Sequence, residues 1–279
     1  MSRPMWLVAL IKRGFPGRFL AARATRAPIL GRLVDGWLFA GDDLVYLPTD
    51  QSVREHAIRK VPVGRAVEAA PDVALPSQVV EHFIEAAGFH WIMNACLCRD
   101  ASSCGDYPVD LGCLFLGDAA AGIDPHLGRR VTRDEALAHV RRCREAGLVH
   151  LVGRNKLDTL WMGVGAGDRL LTICNCCQCC CLWRMLPDVS EHISGHVTRM
   201  EGVSVEVSDR CVGCGTCADG VCFVGAIRLE DGRSTIGEAC RGCGRCANVC
   251  PHGAIEISIE NSQFVADTIA RIAPLVDVT

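Results

Sequence analysis

Residues 240–251 read CRGCGRCANVCP: three cysteines at steps of three, then a fourth after three intervening residues, then proline. Residues 211–222 read CVGCGTCADGVC, the same run with one extra residue before its last cysteine. Three thiolates offered by one tight loop can take three corners of a four-cornered inorganic cluster, leaving the fourth corner to a cysteine from elsewhere. Zinc sites, by contrast, are usually built from CxxC pairs rather than triple runs. Gly213, Gly215, Gly242 and Gly244 allow the backbone to curl so that amide N–H groups face the sulfurs, stabilising negative charge there.

Two such runs, separated by the β-like segment AIRLEDGRSTI, closely resemble the two-cluster [4Fe–4S] bacterial ferredoxin family over residues 203–260. The resemblance implies that the fourth cysteine of each run serves the other cluster. One cluster would then take Cys211, Cys214, Cys217 and Cys250, and the second Cys240, Cys243, Cys246 and Cys222. It also implies a pseudo-symmetric βαββαβ-like fold and one-electron transfer. Two departures stand out: the longer loop before Cys222, and Phe223 where the first repeat often has proline.

Eleven of the 19 cysteines remain, and ten of them form two further groups. One is Cys96, Cys98, Cys104 and Cys113. The other is ICNCCQCCCLW, residues 173–183, with six cysteines in eight positions. If that second segment is extended, alternation puts Cys177, Cys179 and Cys181 on one face and Cys174, Cys176 and Cys180 on the other. A turn at Gln178 would mix the sets. The expectation is a third iron–sulfur cluster, with zinc as the alternative. Its candidate ligands are Cys98, Cys104 and Cys113 with one or more of Cys176, Cys177 and Cys180. Cys143 lies on the apolar face of a helix and reads as a buried structural thiol. The pattern CLCR, two further cysteines and CNCCQCCC also resembles a cysteine-rich N-terminal module that precedes dicluster ferredoxin modules in anaerobic bacterial and archaeal iron–sulfur proteins. That resemblance covers residues 90–260 and implies a module, not a substrate.

The whole chain is consistent with reduced, ligated thiols. Its cysteine count is odd, and the N-terminal apolar run is broken at Lys12 without a small-residue cleavage site, so no export signal or disulfide framework is expected. No stretch reaches the roughly 18 apolar residues of a membrane span. A net charge of −3 argues against nucleic acid as the main partner. The expected location is cytoplasmic. Residues 1–34 carry seven basic residues and no acidic one, interleaved with apolar side chains and broken near Pro16. Such a segment can dock peripherally on the inner membrane surface or on an acidic partner, or can pack on its own domain.

The fold class expected is α+β: a mixed α/β cysteine-rich N-terminal domain followed by a ferredoxin-like pseudo-symmetric dicluster domain. Residues 1–76 read as the basic amphipathic segment and a loop-rich region with PTD, VPVGR and ALPS breaks. Residues 77–187 form the cysteine-rich module, 203–260 the two-cluster domain and 261–279 a C-terminal helix. A helix should run from Ser77, as N-cap, to Gly88, and HWIMNACLCR should enter as a buried strand. Thr132–Glu135 is a capping-box pattern. Residues 148–152 and 157–164 read as strands about a GRN turn, and GVGAG (163–167) as a turn rather than a phosphate loop. Three functions compete: an electron-transfer protein or oxidoreductase subunit with a redox-protein partner, a reductase whose N-terminal cluster acts on a small substrate, and a redox or metal sensor. Four thiolates on the N-terminal cluster favour the first; three and an open iron favour the second.

Overall fold

The computed structural model describes residues 3–59, 74–165 and 167–279. VPVGR (61–65) and Ala166 lie outside these. Among the described residues, seven strands form a mixed sheet: β1 (Asp43–Tyr46), β2 (His90–Met93), β3 (Leu114–Leu116), β4 (Gly128–Arg130), β5 (Val149–Arg154), β6 (Leu171–Cys176) and β7 (Val197–Arg199). Their spatial order is β4-β2-β3-β6-β5-β1-β7. Every pair is antiparallel except β1 with β7. The molecule is thus a mixed α/β structure, consistent with α+β.

Alternation along these short strands divides the sheet's surroundings. Val45, Ile92, Leu114, Leu116, Val152, Leu171 and Ile173 point to one face. There they pack under helices Ser77–Ala86, Arg133–Glu145 and Phe264–Ile272, through Val80, Val140 and Ile272. Leu44, Tyr46, Leu151 and Cys176 point the other way, as do Trp91, Met93 and Phe115. That second face is the one furnished with cysteines. Four further strands build two two-stranded antiparallel sheets: β8 (Val203–Val207) with β11 (Ile255–Ile259), and the hairpin of β9 (Ile227–Glu230) with β10 (Arg233–Ile236). The β9–β10 turn is Asp231-Gly232, both at positive φ, a sequence favoured by two-residue hairpins.

Several local expectations change. The stretch taken as loop-rich, 35–76, contains the end of helix Pro28–Leu38, all of β1 and helix Asp50–Arg59. The apolar triplet Leu44-Val45-Tyr46 is too short to announce a strand alone, yet it fills the slot between β5 and β7. Ser77 is the first helical residue and not the cap; its N–H donates to the Asp50 carboxylate at 3.0 Å. Residues 157–164 are not a strand, since Lys156–Met162 is helical. The Lys156 N–H at the start of that helix donates to Asp42 Oδ1 at 2.7 Å, a partner 114 residues away that local pattern cannot reveal. Helix Leu97–Ala101 follows β2, so HWIMNACLCR is strand only over its first four residues. The capping box at Thr132 and Glu135 is present on both sides.

Two measurements test this account. Thr132→Ala removes the acceptor for the Glu135 N–H and should lower stability by about 1 kcal/mol in anaerobic urea unfolding. Burial pushes Asp42 up to about 7, against which the Lys156 N–H is the main opposing influence. A carboxyl raised in the folded state costs stability as pH climbs from about 4 to about 7, by at most about 1.4 kcal/mol per pH unit. Asp42→Asn keeps the Oδ1 acceptor, so its stability relative to the parent should grow across that window and level off above pH 7. A difference independent of pH would show that Asp42 is ionised in the fold.

Candidate metal centres

The second cysteine run begins four residues after β10 and continues into helix Arg245–Val249. Its thiols Cys240, Cys243 and Cys246 line one cavity together with Cys222, the last cysteine of the first run. The Gly242 N–H points at Cys240 Sγ at 3.4 Å and the Ala226 N–H at Cys222 Sγ at 3.3 Å. Gly244 sits at φ +84°, and a Cβ there would stand 2.5 Å from Ser52 Oγ. Glycine is required both by that backbone conformation and by how closely the Thr49–Ser52 corner approaches. Burial raises the Cys240, Cys243 and Cys246 thiols above their ordinary range.

In the first run, the Ser234 N–H donates to Cys211 Sγ at 3.4 Å and the Ser234 hydroxyl lies 3.1 Å from Cys217 Sγ. The Ala254 N–H donates to Cys250 Sγ at 3.3 Å. Cys217 is buried, Cys214 is exposed, and Cys211 and Cys250 are half-buried. Backbone donors aimed at sulfur are what a ligated thiolate needs, so both runs suit an iron–sulfur group.

The ten other grouped cysteines sort into two sets, along lines that extended alternation alone does not predict. Strand β6 places Thr172, Cys174 and Cys176 on the face away from Ile173, and Cys113, opposite Cys174 in the register, lies 3.7 Å from it, sulfur to sulfur. A turn then occupies residues 178–180. It returns Cys181 to the side of Cys176 and gathers Cys177, Cys179 and Cys180 on the other. One set lines a cavity of about 50 Å³: Cys96, Cys98, Cys113, Cys174, Cys176 and Cys181, with Cys177 at its edge. That is several times the space one water needs. Trp161, Met162, Leu182 and Trp183 complete an apolar wall. The other set is Cys104, Cys177, Cys179 and Cys180, whose sulfurs all lie within 4.8 Å of one another. The six candidates for a third site therefore divide, with Cys98, Cys113 and Cys176 in the cavity and Cys104, Cys177 and Cys180 in the compact group. Sequence reasoning left Cys96, Cys174, Cys179 and Cys181 out. The turn at Gln178 was the available signal for regrouping them. Cys143 is fully buried and pushed up to about 12 by that burial.

Arg99 and Arg245 run between these sets. Arg99, fully buried, donates from Nη1 to the Asn175 carbonyl at 2.9 Å and from Nη2 to the Leu111 carbonyl. Its charge faces Cys96, Cys177 and Cys113. The Cys98 thiol, by hydrogen bonding, and then the Arg99 charge bring Cys96 down to about 7 against the effect of burial. Arg245, between Cys243 and Cys246, donates to Gln178 Oε1 at 2.8 Å and to the Cys176 carbonyl. Phe223, next to Cys222, packs on Tyr46 with ring centroids 4.8 Å apart and planes tilted by 45°, and the Tyr46 hydroxyl lies 3.8 Å from Cys181 Sγ. Three buried histidines are held by oxygen partners: His90 and His139 bond the Ile84 and Gly112 carbonyls, and His150 bonds Asn175 Oδ1.

The 4Fe-4S binding domain family matches residues 236–256, the stretch holding Cys240, Cys243, Cys246 and Cys250. Neither the curated proteins nor the solved structures compared with the chain match it significantly. The chain thus carries a 4Fe–4S binding motif beside a separate cysteine-rich region. Among the described residues no helix is long and apolar enough to cross a membrane.

Arg99→Gln should destabilise the protein by about 2–4 kcal/mol, because two buried carbonyls would share one shorter amide donor. Arg99→Lys should recover little of that, since one ammonium cannot reproduce the guanidinium fork. Full recovery by lysine in anaerobic unfolding would show that charge alone matters at this position.

Proposed function

We propose that the chain is an iron–sulfur electron-transfer protein or oxidoreductase subunit with two [4Fe–4S] clusters in its C-terminal part and a third in the cysteine cavity. Bound there, the clusters supply one-electron oxidation and reduction. Cys240, Cys243, Cys246 and Cys222 hold one cluster; Cys211, Cys214, Cys217 and Cys250 hold the other. The observation that carries this is the cavity shared by three thiols of one run and the last thiol of the other. A ferredoxin-like pseudo-symmetric layout is supported by matching parts. Each run starts four residues after a strand, and each fourth cysteine accepts the N–H four residues on, beside a glycine at positive φ.

Six thiols line the cavity, more than the four a cubane takes. This favours electron transfer over reduction of a small substrate. Tyr46 with Phe223, and Arg245, are the protein groups that separate the cavity from the Cys222/Cys240/Cys243/Cys246 site. All three side chains are buried. Such a concentration of thiols fits an anaerobic or strongly reducing setting, because exposed thiolates oxidise readily.

The N-terminal helices supply a membrane-docking surface on this reading. Ile29, Leu33 and Trp37 form a stripe at steps of four, with Trp37 72% exposed, and Trp6 is 69% exposed. Exposed tryptophans on helices that also carry the exposed Arg13 and Arg32 fit an anionic lipid interface. Lys12, Arg23 and Arg26 are engaged internally, by Asp100, Asp188 and the Pro187 and Asp188 carbonyls.

Anaerobically purified protein should be brown and contain about twelve irons paired with about twelve acid-labile sulfides. Cys243→Ser should remove or alter one cluster while the EPR of the others persists. A colourless preparation free of sulfide would end this reading. On sedimentation with anionic vesicles the protein should pellet, and Leu33→Ser with Trp37→Ser should release it; retention on neutral vesicles alone, or binding only to an acidic protein partner, would refute lipid docking.

A further inference from the structure

We infer that Cys104, Cys177, Cys179 and Cys180 form a fourth centre that holds a single metal ion, zinc or iron, and not a cluster. Four thiolates placed tetrahedrally about one ion at about 2.3 Å stand about 3.8 Å apart. Here all four sulfurs lie within 4.8 Å of one another, and Cys104 and Cys179 are 3.4 Å apart. A cubane holds its ligand sulfurs much farther apart, because four irons stand between them. This spacing admits one ion only.

The chain spends local structure on the arrangement. Ser103 adopts φ +50°, a conformation that costs a residue with a Cβ about 1 kcal/mol or more and turns the chain so that Cys104 faces the group. The Cys104 N–H is tied to the Arg99 carbonyl at 3.0 Å. On the other side, Gln178 at the apex of the turn accepts from the Tyr107 hydroxyl and from Arg245, each at 2.8 Å, and Arg184 donates to the Cys179 carbonyl. The Cys180 N–H donates to Cys177 Sγ at 3.3 Å, as a ligated thiolate requires. Cys177 and Cys180 are buried, while Cys104 and Cys179 reach solvent, which gives an ion a way in. The three cavity thiols nearest this turn, Cys174, Cys176 and Cys181, lie outside the group, and Cys177 alone borders both centres.

The test is zinc, iron and acid-labile sulfide per full-length chain after anaerobic purification, in the parent and in Cys104→Ser/Cys179→Ser. The parent should contain one metal atom beyond those matched one to one by sulfide, either one zinc or one excess iron. The double variant should lose that atom and no sulfide. Metal equal to sulfide in the parent, or a variant that loses iron and sulfide together or loses no metal, would overturn the assignment. Should the variant fail to fold, X-ray absorption on the parent decides. Four sulfur neighbours at about 2.3 Å around zinc, or a high-spin ferric EPR signal after oxidation, would support it, and nitrogen or oxygen neighbours would refute it. A preparation with the lone metal but no sulfide would sink the cluster reading and leave this one standing.

Discussion

The two-residue period of strand β6 is the constraint on which the cysteine chemistry depends. Leu171 and Ile173 go to the helix-covered face, while Cys174 and Cys176 go to the cavity. Because β6 lies between β3 and β5, its register is set on both sides, and a one-residue slip would exchange these faces. Such a slip would put Cys174 and Cys176 into the hydrophobic core beneath helices Ser77–Ala86 and Arg133–Glu145, and Ile173 into the cavity. The core's need to bury Leu171 and Ile173 is therefore what aims the thiols.

The C-terminal part is not a free module strung behind the sheet. Thr49 accepts the Asn248 amide at 3.0 Å and donates its own N–H to the Cys243 carbonyl at 3.2 Å. Arg271 pairs with Asp43 at 2.9 Å, fastening the last helix to β1. Phe223 explains itself in this setting. Where the first cysteine run departs from the proline usual in two-cluster ferredoxins, the aromatic ring is buried against Tyr46 and ties that run to the sheet. Proline offers neither the area nor the ring face for that contact.

Much of the second cysteine run was legible because its chemistry is local: ligand spacing, glycines and the following proline lie within twelve residues. The Thr132 capping box was legible for the same reason. The rest depended on distant partners. Helix Lys156–Met162 hangs on Asp42, far back in the chain, and so read as a strand. The division of the N-terminal cysteines depended on the turn at 178–180, which the sequence offers only as an alternative to an extended segment, and on Ser103, which leaves no compositional trace. Candidate ligands that looked like one site thus came from two. Arg99, directly after Cys98 in sequence, carries no local sign that it is fully buried among sulfur and carbonyl groups.

Arg245 stands between two cysteine sets: at Cys243 its charge opposes the burial that holds that thiol up, and at Cys176 it adds to the hydrogen bonds from Cys174 and Cys181 that bring that thiol down. One cation shared by two sites cannot compensate negative charge at both in full. Negative charge gathered in either set would be felt in the other across that one side chain, so groups bound in both would not take up charge independently.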